Sequence, residues 1–101
     1  MNATTIDHPA ATELELTAVL HALSDPVRLQ IARELAADDV ERRCGSFDLP
    51  VSKSTCTHHF RVLREAGVIE QWAEGTAKMT RLRRADLDAR FPGLLDAVLT
   101  A

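Results

Sequence analysis

The sequence predicts a mainly α-helical fold carrying one small β-hairpin, on three observations. Apolar residues recur at helical spacing in four stretches, near residues 12–23, 25–37, 52–66 and 85–101. Residues that start or stop helices stand at their ends, namely Asp25 with Pro26, Ser52, and Gly67. Between Val68 and Arg83 the pattern changes to an alternation of period two around Gly75. The chain has 101 residues, 46% of them apolar and 27% charged, which is too apolar for disorder and short enough for one domain. At that size only about two thirds of the unfolded surface can be buried, so a second chain is expected to add cover.

Residues 1–11 have no period and contain Pro9; they read as a flexible N-terminal tail ahead of a domain spanning residues 12–101. A first helix is expected from Thr12, where Thr12 and Glu15 have the spacing of a capping box, with Leu16, Val19, Leu20 and Leu23 on one face. Asp25 and Pro26 then start a second helix, running to about Ala37 with Val27, Ile31 and Leu35 inward. The charged run at 38–43, with Asp38, Asp39 and Glu41, reads as a solvated link. The following "CGSFDLP", interrupted by Gly45 and Pro50, leaves room for a turn or a brief helix.

Ser52 is the N-cap of a third helix that ends at Ala66, with Gly67 as its stop. At about 100° per residue, Cys56, His59, Phe60, Leu63 and Ala66 share its core side. Lys53, Ser54, Thr57, His58, Arg61 and Arg64 share the other. The hairpin comes next, and Trp72 in its first strand is expected to pack between the hairpin and the end of the chain. Residues 85–101 read as helical, with Pro92 either starting the last helix or kinking a longer one. Their Leu87, Phe91, Leu94, Leu95, Val98 and Leu99 are more apolar side chains than the end of a small domain can bury, so this helix and the first are expected to meet a second copy, making a homodimer.

Charge is distributed unevenly. Residues 1–48 hold nine acids against four bases, residues 49–84 seven bases against three acids, and residues 85–101 three acids against one base. A basic segment inside a chain of net charge −3 points to one surface suited to a polyanion. Two helices, a tight turn, a capped helix with a basic outer face and a basic hairpin together describe a winged helix-turn-helix. In that arrangement the helix after Ser52 enters the major groove of double-stranded DNA: short polar side chains reach base edges, and basic ones, with Arg64 on the helix and Lys78 and Arg81 on the hairpin, bind phosphates.

The stretches "ALSDPVRLQIARELA", "LPVSKSTCTHHFRVLREAGVIEQ" and "EGTAKMTRLR" resemble the ArsR/SmtB family of dimeric bacterial repressors, over roughly residues 14–99. The resemblance implies a homodimer built on the first and last helices, an inverted-repeat operator, and release when an inducer binds. It places Lys53, Ser54, Thr57 and His58 against DNA with Arg61 one turn later, Gly75, Thr76 and Lys78 at the wing tip, and His59 inward. Three departures bear on the inducer: the C-x-C of thiol-rich members is reduced to the single Cys44, the last stretch has Asp86, Asp88 and Asp96 but no histidine, and "CGSFDLPVS" replaces a more polar turn segment.

Other chemistries find less support. Adjacent His58 and His59 point about 100° apart on a helix and cannot chelate together, and no C-x-x-C or H-x-x-x-H spacing occurs, so no metal site or cofactor is expected. Cys56 reads as a buried thiol; Cys44, beside Gly45 in a turn, reads as reachable, so the two are candidate thiol sensors for a thiol-reactive inducer or soft metal ion. No nucleophile can be placed with a base and an orienting group, so no enzyme is expected. The absence of an eighteen-residue apolar run or a signal-like start leads to a cytoplasmic expectation. The competing reading is a winged-helix module that binds an acidic protein without sequence-specific DNA binding.

Overall fold

A computed structural model describes residues 4–5, 7–38 and 41–101. In chain order the regular elements are β1 (Thr4–Thr5), α1 (Leu16–Leu23), α2 (Pro26–Asp38), β2 (Arg42–Arg43), α3 (Lys53–Glu65), β3 (Ile69–Glu74), β4 (Ala77–Leu82), α4 (Arg84–Arg90) and α5 (Leu94–Leu99). The fold is mainly helical with a winged helix-turn-helix order, as expected. Its sheet has four antiparallel strands in the order β1-β3-β4-β2.

The first helix starts later than the capping box suggested. Residues Ala11–Glu13 make a single 3-10 turn, in which the Ala10 N–H donates to Glu13 Oε1 at 2.7 Å. Leu14 then becomes extended and is buried to 1% exposure, and α1 begins only at Leu16. Burial of Leu14 outweighs the local cap, because one core leucine is worth about 1.5–3 kcal/mol against about 1 for a cap. Within α1, Val19, Ala22 and Leu23 face the core, while Leu16 and Leu20 remain exposed.

Asp25 does start α2: its Oδ2 accepts the N–H groups of Val27 and Arg28 at 2.9 and 3.1 Å. Partial burial would raise this carboxyl, but the two amides, with His59 and Arg28 nearby, hold it below the ordinary range. Between β2 and α3 the chain forms a 3-10 turn, Cys44–Ser46, and is anchored by Phe47, whose ring meets Phe60 edge-on at 5.5 Å. Arg42 lies over the Phe47 ring at 4.0 Å.

Gly67 ends α3 in a left-handed conformation, φ 83°. Its N–H donates to Arg64 O at 3.0 Å and that of Val68 to Leu63 O at 2.9 Å, the two bonds of a Schellman motif that turns the chain into β3. A Cβ at this position would stand 2.1 Å from Leu14 Cδ2, whereas at Gly93, φ 82°, it would meet nothing within 4 Å. Gly67→Ala is therefore expected to cost about 2–3 kcal/mol in urea unfolding, backbone strain of about 1–2 plus displacement of a core leucine, while Gly93→Ala costs the strain alone. Equal losses at the two sites would show that the Leu14 contact contributes nothing.

The β3–β4 hairpin turns at Gly75 and Thr76, with Ile69 opposite Leu82 and Glu74 opposite Ala77. Both of its edges are covered by two-residue strands that no sequence period announces. β2 pairs Arg42 and Arg43 with Thr80 and Met79, in a segment expected to be a link. β1 pairs Thr4 and Thr5 with Ala73 and Trp72, in a segment expected to be a loose tail. An exposed strand edge offers unpaired N–H and C=O groups, and these short pieces occupy them.

Further contacts tie the same N-terminal segment down. The Gln71 N–H donates to His8 Nε2 at 2.7 Å, and Arg83 Nη1 donates to Pro9 O at 2.8 Å. Burial, then the Arg83 charge, lowers the His8 pKa from its ordinary 6.5, with Arg64 acting in the same direction and Glu70 and Asp7 opposing. Neutral His8 is thus the form the fold favours, and its bond to Gln71 is expected to be full above pH 6.5 and to be lost as pH falls below it. Protection of the Gln71 amide, its exchange rate relative to the intrinsic rate at the same pH, should fall on acidification in the wild type and be low at both pH values in His8→Ala; protection independent of pH in the wild type would refute the link.

Pro92 and Gly93 separate α4 from α5, so the last stretch is two short helices. Leu87 and Leu95, expected to face a second copy, are each 1% exposed and belong to the chain's own core. Phe91, Leu94, Val98 and Leu99 pack partly against that core. The two large exposed apolar side chains among the described residues are Leu16 and Leu20.

Candidate nucleic-acid interface

Helix α3 is built to present one face. Ser52 Oγ accepts the Thr55 N–H at 3.3 Å, setting the N-terminus, and the core side is held by His59, Phe60 and Leu63, all buried. His59 is hydrogen-bonded inside, its Nδ1 3.1 Å from Arg28 Nη1. On the opposite side Lys53, Ser54, Thr57, His58 and Arg61 are exposed and Arg64 is half-buried. Thr57 Oγ1 bonds back to Lys53 O at 3.1 Å, which orients its hydroxyl along the helix.

Most of the chain's guanidinium groups are used internally. Arg28 bonds the Ala22 carbonyl, Arg33 those of Leu99 and Ala101, and Arg90 that of Leu14. Arg42 pairs with Glu34, Arg83 with Asp86, and Arg84 with Asp88 and Asp96. Arg64 Nη1 donates to Gln71 Oε1 at 2.8 Å. Among the described residues, the side chains of Arg43, Lys53, Arg61 and Lys78 have no such partner. Lys53 and Arg61 stand on α3; Arg43 and Lys78 line one cleft with Thr76, between the Cys44 turn and the wing tip.

The wing has two faces. The pairings Gln71 with Thr80 and Ala73 with Lys78 put these four on one side, and Lys78 shares a second cleft with α3 residues Thr57, Arg61 and Arg64. Gly75 and Thr76 form the exposed tip. Arg81, three residues beyond Lys78, belongs to the opposite face. There its Nε donates to Glu70 Oε1 at 2.9 Å and its guanidinium lies 5.5 Å from the Trp72 ring centre. The structure thus brings Lys78 to the helix and does not bring Arg81. Trp72, expected against the last helix, has its partners on the wing itself: its indole N–H donates to Glu74 Oε2 at 2.6 Å.

Arg43 is the basic residue that sequence reasoning missed. It sits in a run without period, and only its pairing opposite Met79 carries it to the wing. Cys44, expected to be reachable, and Cys56, expected to be buried, are both half-buried. Burial pushes the Cys44 thiol pKa up, incompletely offset by the amide of Gln71, whose Nε2 donates to Sγ at 3.1 Å, and by Lys78. Burial raises Cys56 as well. Both therefore hold less of the nucleophilic thiolate at neutral pH than a free cysteine. Among the described residues no three His, Cys, Asp or Glu side chains converge on a metal-sized site, and no helix is long and apolar enough to cross a membrane.

A capped helix with an uncommitted polar face, backed by two helices and flanked by a wing that adds a free cation, defines the winged helix-turn-helix class. Residues 23–71 match a family described as a helix-turn-helix domain. A Bacillus subtilis (strain 168) protein named "Uncharacterized HTH-type transcriptional regulator YceK" is 33% identical over 82 residues, which is 79% of this chain and 82% of that protein. The chain belongs to the family of helix-turn-helix transcriptional regulators.

Proposed function

We propose that this protein is a homodimeric repressor that binds an inverted-repeat operator in double-stranded DNA and leaves it when an inducer binds. The observation that carries the reading is the set of free cations. In a chain of net charge −3, the basic side chains without an internal partner among the described residues stand on α3 and beside the wing, where a duplex would lie. Helix α3 enters the major groove, with Ser54, Thr57 and His58 at base edges and Lys53 and Arg61 at phosphates. The wing, through Thr76 and Lys78 and with Arg43 beside it, follows the backbone. Arg81, paired to Glu70 on the far face, lies outside this footprint.

Two classes of variant test the assignment. Arg61→Ala and Lys78→Ala are each expected to weaken binding to every duplex and to lower the slope of log affinity against log salt by about one unit. Thr57→Ala and His58→Ala are expected to flatten the preference for operator over scrambled DNA by about 1–3 kcal/mol while leaving the slope unchanged. Identical behaviour of the two classes in a fluorescence-anisotropy titration would refute the division of the helix face.

A further inference from the structure

The cleft between α3 and the wing has a volume of about 330 Å³. Arg61 and Arg64 reach it from α3 and Lys78 from β4, and no carboxylate is among its lining residues. Arg61 and Lys78 have no internal partner among the described residues. Arg64 is half satisfied: Nη1 has Gln71, but Nε is shut off from solvent and has no hydrogen-bond partner among the described residues. A buried guanidinium N–H left without an acceptor is costly, and beside two further cations an anionic acceptor is the one the local charge favours.

Gln71 forms part of the cleft wall and is 1% exposed. Its carboxamide is fixed from both ends, Oε1 accepting from Arg64 and Nε2 donating to Cys44 Sγ, while its backbone N–H is held by His8. A residue locked in this way holds the Arg64 side chain against the cleft instead of letting it extend into solvent. Phe60 and Cys44 supply apolar wall, and Thr57 contributes a hydroxyl.

We propose that this cleft is a binding site for a phosphate oxyanion, held by Arg61, Arg64 and Lys78, with Gln71 as the positioning residue for Arg64. Three cations match the oxygens of a phosphate group, Arg64 through its planar fork and Lys78 as a point charge. The chemistry is common to two sources, a phosphodiester of the DNA backbone and a free phosphate monoester. The first source rests on the DNA-binding reading above; the second does not.

The test is made on the full chain without DNA. Inorganic phosphate is titrated at ionic strength held constant with chloride while the ¹H–¹⁵N resonance of Arg64 Nε–Hε is followed. The expected result is a saturable shift, with affinity lowered about tenfold in Arg61→Gln and in Lys78→Gln, the effect of removing one charged hydrogen-bond donor. Arg33→Gln makes the same charge change on α2 and is expected to leave the affinity as it was. Gln71→Glu keeps an acceptor for Arg64 but adds a carboxylate to the cleft, so the saturable shift should vanish while Arg64 Nε–Hε keeps its dispersed position. A shift that is linear and no larger than with chloride alone, or a saturable one indifferent to Arg61→Gln and Lys78→Gln, overturns the site. Operator duplex added to the phosphate-loaded protein then separates the sources. Displacement of phosphate identifies the DNA backbone as an occupant, and simultaneous binding identifies a free monoester, each in support of the anion site. A duplex that does not bind at all refutes the DNA reading and leaves the anion site standing.

Discussion

Arg28→Met is expected to lower the free energy of unfolding by about 3–5 kcal/mol, although methionine retains much of the side chain's volume. Arg28 is 7% exposed and serves three acceptors. Its Nε donates to Ala22 O at 2.7 Å and Nη2 to His21 O at 3.4 Å, so it caps the C-terminus of α1. Its Nη1 donates to His59 Nδ1 at 3.1 Å, so it also holds α3. A guanidinium has only hydrogens to offer, which makes Nδ1 the acceptor and puts the imidazole proton on Nε2, the nitrogen 3.9 Å from Asp25 Oδ2. Asp25 in turn starts α2. One buried side chain therefore joins the end of the first helix, the start of the second and the middle of α3. Removing it strands three acceptors at about 1–3 kcal/mol each, less whatever water recovers. Arg28→Lys keeps the charge but has one nitrogen where three directions are needed, and should recover less than half of the loss. Urea unfolding measures both variants; a loss below about 1 kcal/mol for Arg28→Met would show that the network adds little beyond packing.

What the sequence disclosed follows from how locally each feature is determined. Helix α3 was legible because its limits and its face are set by its own residues: Ser52 at one end, Gly67 at the other, and an apolar stripe between them. The hairpin was legible for the same reason, through its alternation around Gly75. β1 and β2 were not, because two residues carry no period and those strands exist only where a hairpin edge waits for them. Thr12 failed as a cap because burial of Leu14, a tertiary event, overrode a local preference.

The site divides along the same line. Which residues of α3 point outward could be read from a helical wheel, but which bases are free could not, since that depends on acceptors the fold brings up, such as Leu99 O for Arg33, Leu14 O for Arg90 and Glu70 for Arg81. Arg81 and Lys78 look alike as members of one basic strand until their spacing of three is taken as opposite faces, a signal the sequence did contain. Arg43 offered no such signal. Cys44 looked reachable beside Gly45, yet the amide of Gln71, 27 residues away, covers it.

The double variant Leu16→Glu, Leu20→Glu is expected to sediment as a monomer and to bind operator about a hundredfold more weakly than the wild type. These leucines lie one turn apart on α1 with 45% and 42% of their surface exposed, while the rest of that helix's large apolar side chains are buried. Covering a leucine is worth about 1.5–3 kcal/mol, so a second copy that buries four of them across a two-fold axis gains a substantial part of the association energy from this patch alone. Because both positions are already open to solvent, carboxylates there should leave the fold within about 0.5 kcal/mol of the wild type, so a lost dimer is not confused with a lost domain. Leu95→Glu cannot serve the same purpose: at 1% exposure it would place a charge in the core. The effect on DNA follows from linkage. Two half-sites bound by one dimer profit from an effective concentration that a monomer forfeits, a gain of about 10²–10⁴ in affinity. A half-site duplex, read by one subunit, should bind the variant and the wild type alike. Sedimentation velocity and operator titration decide together: an unchanged dimer moves the interface away from Leu16 and Leu20, and a wild type that sediments as a monomer while holding its operator refutes the two-fold arrangement itself.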